Sequence, residues 1–103
     1  MKDNQKIQEM QILEQSLQNI LLQKQAFQME LSETKTALKE VESSDDEVFK
    51  IIGQIMIKTK KDTIVSDLLN KKKILELRLN NLEKQENSLN GQIEKIQGEL
   101  IEK

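Results

Sequence analysis

The side chains in this sequence that could do chemistry are carboxylates and lysines, because its 103 residues include no histidine and no cysteine. This composition excludes the usual zinc ligand sets and any serine–histidine or cysteine–histidine catalytic pair. The neighbouring carboxylates Asp45 and Asp46 are better interpreted as solvated loop charges than as an acid–base dyad. The three glycines form no phosphate-binding loop. We therefore predict a non-enzymatic protein that has no catalytic residue, metal or cofactor.

The charge distribution also argues against nucleic-acid and membrane partners. The net charge is −2, so no overall positive field attracts polyanions. The basic runs at 58–61 and 71–73 lack aromatic residues on which bases could stack. We expect the acidic run 42–47 to attract the 58–61 run of a neighbouring subunit instead. No apolar run has the length of a membrane helix, and the absence of cysteine is compatible with a reducing compartment, so we expect a cytoplasmic protein.

Two long stretches carry the 3-4 spacing of apolar residues that is typical of a coiled-coil seam. The first stretch places these residues on its seam: Met10, Leu13, Leu17, Ile20, Lys24, Phe27, Leu31, Thr34, Leu38 and Val41. The second places these: Val65, Leu68, Lys72, Leu75, Leu79, Leu82, Glu86, Leu89, Ile93, Ile96 and Leu100. Polar residues interrupt each seam only twice. For Lys24 we favour an ammonium that turns out to solvent over a residue that sets the register.

The two stretches predict a mainly α fold, a long antiparallel two-helix coiled-coil hairpin with one small β-hairpin inserted between the helices. We expect one domain over residues 1–103, with helices at 3–42 and 60–102 and the acidic loop and β-hairpin at 43–61. The favoured register places Leu17 opposite Leu89 and Phe27 opposite Leu79. It also brings the polar seam residues Thr34 and Lys72 into one layer.

The insertion between the helices is predicted to be a β-hairpin because β-branched residues surround a central glycine. A short helix is the alternative for any apolar run of this length. We expect a three-residue loop, 52–54, which pairs Ile51 with Ile55 and Phe49 with Ile57 and makes one face wholly apolar. A two-residue loop would mix the two faces. Thr59 is the expected N-cap of the second helix.

An isolated two-stranded ribbon is marginally stable, and its free edges invite pairing. The chain supplies no other strand, so we expect the ribbon to pair with ribbons of other chains. The positions expected in this subunit interface are Val48, Phe49, Ile51, Ile52, Gly53, Ile55, Met56 and Ile57.

Several segments, in this order, resemble the β-type subunit of prefoldin. The segments are Gln23-Lys24-Gln25, Asp45-Asp46, Val48–Gly53, Ile57-Lys58-Thr59 and Leu75–Glu86. The resemblance covers about residues 17–90. The α-type subunit of that family carries two hairpins between its helices, whereas the insertion here has room for one.

The resemblance implies a hexamer of two α-type and four β-type subunits, joined by their ribbons into a double β-barrel body. It also implies an ATP-independent holdase whose helix ends capture unfolded polypeptides and pass them to a group II chaperonin. By helix rise, these ends lie some 60 Å from the ribbon. Carried over to this chain, the client-binding positions are Ile7, Met10, Ile12, Leu13, Leu17, Ile93, Ile96, Leu100 and Ile101. The alternative function is a structural coiled-coil adaptor or scaffold that holds no client.

Overall fold

A computed structural model of the chain describes residues 2–45 and 47–101. Helix α1 spans Lys2–Glu42, strand β1 Glu47–Ile52, strand β2 Ile55–Lys60 and helix α2 Lys61–Ile101. The helices are antiparallel and pack against each other, and the two strands form an antiparallel hairpin between them. This architecture confirms the predicted fold class. Asp46, in the acidic run, lies outside the described residues.

The chain divides into two compact units, each of which contains part of both helices. The terminal unit contains α1 up to Phe27 and α2 from Arg78, and the ribbon unit contains Gln28–Leu77 with the hairpin. In both units every predicted seam residue is buried or half-buried. The 3-4 spacing therefore identifies the side chains through which the helices pack.

The core of the terminal unit contains buried aliphatic side chains from both helices: Ile20, Leu82 and Ile93. The guanidinium carbon of Arg78 lies 5.6 Å from the centroid of the Phe27 ring, a cation–π distance. In the predicted register Phe27 faces Leu79, the next residue to Arg78. A shift by one heptad would place Phe27 opposite Glu86, about 12 Å along the helix from Arg78. The observed contact therefore agrees with the predicted register.

The ribbon unit packs around Leu38 and Leu75, and Leu75 is only 3% exposed. Thr34 is also buried, and its hydroxyl donates a hydrogen bond to the Glu30 carbonyl at 2.8 Å. Such a bond to the preceding turn removes most of the cost of burying a hydroxyl group. Lys71 Nζ lies 3.4 Å from Glu30 Oε1, an exposed ion pair between the two helices. Thr34 thus occupies the seam without requiring a partner on the other helix.

The hairpin register differs from the predicted one by one residue. Ile51 pairs with Met56, Ile52 with Ile55 and Phe49 with Lys58, so the prediction that Ile51 faces Ile55 is wrong. The loop is the two-residue turn Gly53-Gln54, in which Gly53 has a φ of 61°. A positive φ at the first central residue alone is the pattern of a type II′ turn, whose twist matches that of paired strands.

The ribbon also extends further toward α2 than predicted. Thr59 lies in β2 and pairs with Val48, and Lys60 pairs with Glu47. The Thr59 hydroxyl donates to the Ile57 carbonyl at 3.3 Å rather than to the first turn of a helix. The prediction that Thr59 caps α2 is therefore wrong, because the strand pairing continues up to the first residue of the helix.

Neither helix, over residues 2–42 and 61–101, contains a stretch long and apolar enough to cross a membrane.

Candidate functional site

The ribbon carries an unusual amount of exposed apolar surface. Ile51 is 68% exposed, although it lies in a paired strand. Five more large apolar side chains of the two strands are exposed: Phe49, Ile52, Ile55, Met56 and Ile57. Val48 is half-buried, and Gly53 is exposed in the turn. Contiguous apolar surface of this kind marks a place where another molecule packs.

The observed register distributes this apolar surface over both faces of the ribbon. Because alternate residues of a strand point to opposite faces, Ile52, Ile55 and Ile57 share one face with the half-buried Val48. Phe49, Ile51 and Met56 share the other. The predicted single apolar face is therefore wrong. Among the described residues, each strand is hydrogen-bonded only to the other, which leaves both outer edges open.

A groove of about 530 Å³ runs beside the ribbon within the ribbon unit. The apolar part of its wall comes from both helices and from β1: Ala37, Val41, Phe49, Ile51, Ile64 and Leu68. Lys50, Asp67 and Lys71 supply the polar rim. An apolar floor with a charged rim has the composition of a protein–protein interface. The groove extends the apolar surface of the ribbon onto the helices.

The acidic and basic runs at the base of the ribbon contact each other within the same chain. Lys58 Nζ lies 2.8 Å from Glu47 Oε1, and both side chains are well exposed. Lys61 Nζ donates to the backbone carbonyls of Glu42 and Ser44 at 2.9 and 3.0 Å. These two lysines have partners in their own chain, and the attraction of these runs to a neighbouring subunit stays a prediction.

The apolar residues expected to bind clients fall into three classes of exposure in the terminal unit. Ile12 is 64% exposed and Ile101 82%, and Ile7 is also exposed. Ile93, by contrast, is buried at 8%. The rest are half-buried in the seam: Met10, Leu13, Leu17, Ile96 and Leu100. The exposed class is the most accessible to a second molecule, and buried Ile93 is the least accessible.

Ile12 also lines an open groove of about 430 Å³ between the two helices of the terminal unit. Leu13 and Ile96 contribute the remaining apolar surface of the groove. Its rim is polar and carries both signs of charge: Glu9, Gln92, Lys95 and Glu99. The structure thus brings Ile12, Leu13 and Ile96, three of the predicted positions, into one concave surface that could receive an extended apolar side chain.

A lysine and a glutamate meet inside the seam of the terminal unit. Lys24 Nζ donates a hydrogen bond of 2.8 Å to Glu86 Oε2, and the side chains are 25% and 21% exposed. The prediction that the Lys24 ammonium turns out to solvent is wrong. In the predicted register Lys24 faces Leu82, one helical turn from Glu86, and both side chains are long enough to span that turn. Opposite charges at seam positions one turn apart were the signal for this pair.

The hydrogen bond to Glu86 raises the pKa of Lys24 above its ordinary value. Partial burial opposes the increase, and the negative charges of Glu86 and Glu83 add to it. A lysine whose pKa is higher in the folded chain stabilises the fold fully below the pKa of the unfolded chain, about 10.4. This contribution is lost as the pH rises through the folded pKa.

We expect the Lys24→Met variant to lose less stability than the wild-type chain when the pH is raised from about 9 to about 11.5, a window that brackets the lysine pKa. Urea unfolding followed by circular dichroism at each pH measures the difference. Glu86→Gln should reduce the same pH dependence, because it removes the carboxylate. Lys73→Met, at an exposed position of α2, is the matched control and should follow the wild type. Identical pH profiles for Lys24→Met and the wild type would contradict the pairing.

Other exposed apolar residues lie on the outer surfaces of the helices. Leu22 and Ala26 are exposed on α1 in the terminal unit, and Met29 is exposed on α1 in the ribbon unit. Ile74 and Leu77 are exposed on α2. Among the described residues, no group of three or more carboxylates is placed to hold a metal ion. Among the described residues, the ribbon carries the largest group of exposed large apolar side chains, six within 49–57.

The chain matches a family model described as prefoldin subunit over residues 4–103. It is 43% identical over 89 residues to prefoldin subunit β of Thermococcus kodakarensis, which covers 84% of this chain and 76% of the relative. Prefoldin subunit β of Pyrococcus horikoshii is 38% identical over 85 residues, or 81% and 73% of the two chains.

A solved structure shows the same fold. The crystal structure of the prefoldin β subunit from Thermococcus strain KS-1 aligns with a TM-score of 0.89 at 38% sequence identity. The alignment covers 95% of this chain and 88% of the other. With two helices, one hairpin and a family match along almost its whole length, this chain belongs to the prefoldin subunit family, in its β type, and is a non-enzymatic chaperone subunit of a prefoldin complex.

Proposed function

We propose that this chain assembles through its ribbon into a hexamer of two α-type and four β-type prefoldin subunits. The support is the apolar surface on both faces of the ribbon, from Phe49 to Ile57, with two open strand edges. A hairpin of this kind gains most of its stability when further strands cover it. Partner ribbons would bury the exposed side chains and complete the hydrogen bonding of the edges.

Within such a hexamer, the helix ends capture unfolded polypeptides. The observations that carry this proposal are the exposure of three isoleucines of the terminal unit, Ile7, Ile12 and Ile101, and the open groove that Ile12 lines. An unfolded chain exposes apolar segments of many shapes, and an open groove suits weak and unselective binding. Several ends acting together raise the overall affinity.

The remaining part of the function rests on the family. Membership of the prefoldin β type implies that the complex is a holdase, which works without ATP and delivers its client to a group II chaperonin. The location that fits this role is the cytoplasm, where such chaperonins meet newly made chains. No small-molecule cofactor enters the mechanism, because binding and release depend on apolar contact alone.

Suppression of aggregation tests this function. The chain is mixed with a prefoldin α-type subunit from Thermococcus, and native mass spectrometry establishes the stoichiometry of the complex. We expect the complex to suppress light scattering from a chemically unfolded client upon dilution, equally with and without ATP. A strict requirement for ATP would contradict the mechanism. A complex that assembles but leaves aggregation unchanged would instead indicate a structural coiled-coil adaptor.

A further inference from the structure

The side chain of Lys61 connects the beginning of α2 to the end of α1. Lys61 is the first residue of α2, and its ammonium donates to the Glu42 carbonyl at 2.9 Å and to the Ser44 carbonyl at 3.0 Å. These acceptors lie 19 and 17 residues earlier in the chain. The contact therefore closes the insertion at its base, where both strands of the ribbon leave the helices.

This contact completes the capping of α1, whose last four carbonyl groups have no partner within the helix. The Ser43 amide bonds the Lys39 carbonyl at 3.1 Å, and the Ser43 hydroxyl bonds the Glu40 carbonyl at 3.1 Å. The Ser44 amide and hydroxyl both bond the Val41 carbonyl, at 3.2 and 2.7 Å. Only the Glu42 carbonyl remains, and Lys61 is its donor. The end of α1 is thus satisfied by two local serines and one distant lysine.

The position of Lys61 is unfavourable for the helix to which it belongs. A cation in the first turn opposes the positive end of the helix dipole, so the charge does not stabilise α2. The same charge is favourable at the C-terminus of α1, where the dipole is negative and where Glu42 and Asp45 add negative charge. The charge of Lys61 therefore stabilises the C-terminus of α1 rather than the N-terminus of α2, the helix to which it belongs.

Among the described residues, the two strands contact each other far more than they contact the helices. The large apolar side chains of the ribbon are exposed, and the ion pair that joins the strands, Lys58 with Glu47, has side chains 63% and 67% exposed, so it contributes little. A free hairpin could leave the helix ends in several directions. Ribbons that must pair edge to edge with those of other subunits require one direction.

We propose that Lys61 is a positioning residue for assembly, which fixes the direction of the ribbon by binding the Glu42 and Ser44 carbonyls. This inference rests on the proposed function, in which the ribbon is the assembly surface. Loss of the ammonium leaves the Glu42 carbonyl without its donor and opens the base of the ribbon, whereas the seam of both helices stays packed.

The variants Lys61→Gln and Lys61→Arg test the proposal. In the free chain, we expect Lys61→Gln to increase hydrogen exchange of the β1 and β2 amides at least about fivefold, because the ribbon opens more often. Thermal unfolding of the helices should change little. On titration with the Thermococcus α-type subunit, Lys61→Gln should raise the Kd about tenfold, since two charge-assisted hydrogen bonds are lost. Lys61→Arg keeps the charge and the donors and should recover most of the affinity.

Lys60→Gln is the matched control, because it removes one positive charge from the adjacent residue, which is exposed in β2. It should leave both exchange and affinity near the wild-type values. The proposal is overturned if Lys61→Gln has the same hydrogen exchange and the same affinity for the α-type subunit as the wild type. It is also overturned if Lys60→Gln loses as much affinity as Lys61→Gln. If the wild-type chain itself does not bind the α-type subunit, assembly through the ribbon fails as a function. In that case exchange in the free chain still decides whether Lys61 holds the ribbon.

Discussion

A chain with lysine at both Ile51 and Ile55 should fold normally and fail to enter the prefoldin complex. The two isoleucines lie on opposite faces of the ribbon and are 68% and 63% exposed. In the free chain the substitutions therefore change side chains that already contact water. In the complex each isoleucine would contribute about 1.5–3 kcal/mol of apolar burial, and each lysine would add the larger cost of an unpaired buried charge.

A loss of at least about 5 kcal/mol corresponds to more than a thousandfold weaker binding. Native mass spectrometry with the α-type subunit measures this loss, and circular dichroism verifies that the helices are retained. Ile74→Lys is the matched control, because Ile74 is 50% exposed on α2 in the same unit and lies outside the ribbon. If the Ile51→Lys, Ile55→Lys chain assembles as well as the wild-type chain, the ribbon is not the assembly surface. The same conclusion follows from a loss of the same size for Ile74→Lys.

The helices were predictable from sequence because their signal is long and redundant. The 3-4 spacing continues through each helix, and no local error can move a whole seam to the other face. All positions from Met10 to Val41 and from Val65 to Leu100 that the spacing assigns to the seam are buried or half-buried. The contact between Arg78 and Phe27 agrees with the predicted relative register of the helices.

The register of the ribbon was not predictable from the same kind of pattern. A pattern of apolar residues selects a register only when one face is buried, and the ribbon buries neither face in its own chain. The geometry of the turn therefore sets the register of the strands. Gly53 at the first central position allows a two-residue type II′ turn, which pairs Ile52 with Ile55. The three-residue loop was predicted because it makes one face of the ribbon wholly apolar, and that prediction was wrong.

The polar contacts were missed for another reason. Reasoning by layers pairs each seam residue with the one directly opposite, whereas a lysine and a glutamate reach across a full turn. Lys24 therefore bonds Glu86 rather than facing Leu82 alone. Lys61 was missed because its partners are backbone carbonyls, Glu42 and Ser44, and a backbone acceptor leaves no mark in the sequence.

The exposure of the helix ends sharpens the prediction of client binding, because it separates residues that bind from residues that hold the helices together. Ile12 and Ile101 are exposed, so substitution by serine should leave the fold intact. Ile93 is buried, and Ile93→Ser should lower the thermal stability of the terminal unit, at a cost comparable to the 2–5 kcal/mol typical of large-to-small changes in a core. Deletion of both ends would combine the two effects and could not distinguish them.

The Ile12→Ser, Ile101→Ser chain, assembled with the α-type subunit, should therefore form the complex and lose most of its holding activity. Each isoleucine that a client covers contributes up to about 1.5–3 kcal/mol, and the complex would lose this contribution at every β-type end. We expect the concentration that halves client aggregation to rise at least about tenfold. Leu22→Ser is the matched control, since Leu22 is 66% exposed on α1 in the same unit and lies outside the groove. If the double variant forms a complex of normal stoichiometry and still suppresses aggregation fully, clients bind elsewhere. If Leu22→Ser loses as much holding activity as the double variant, clients bind the helix surface without preference for its end.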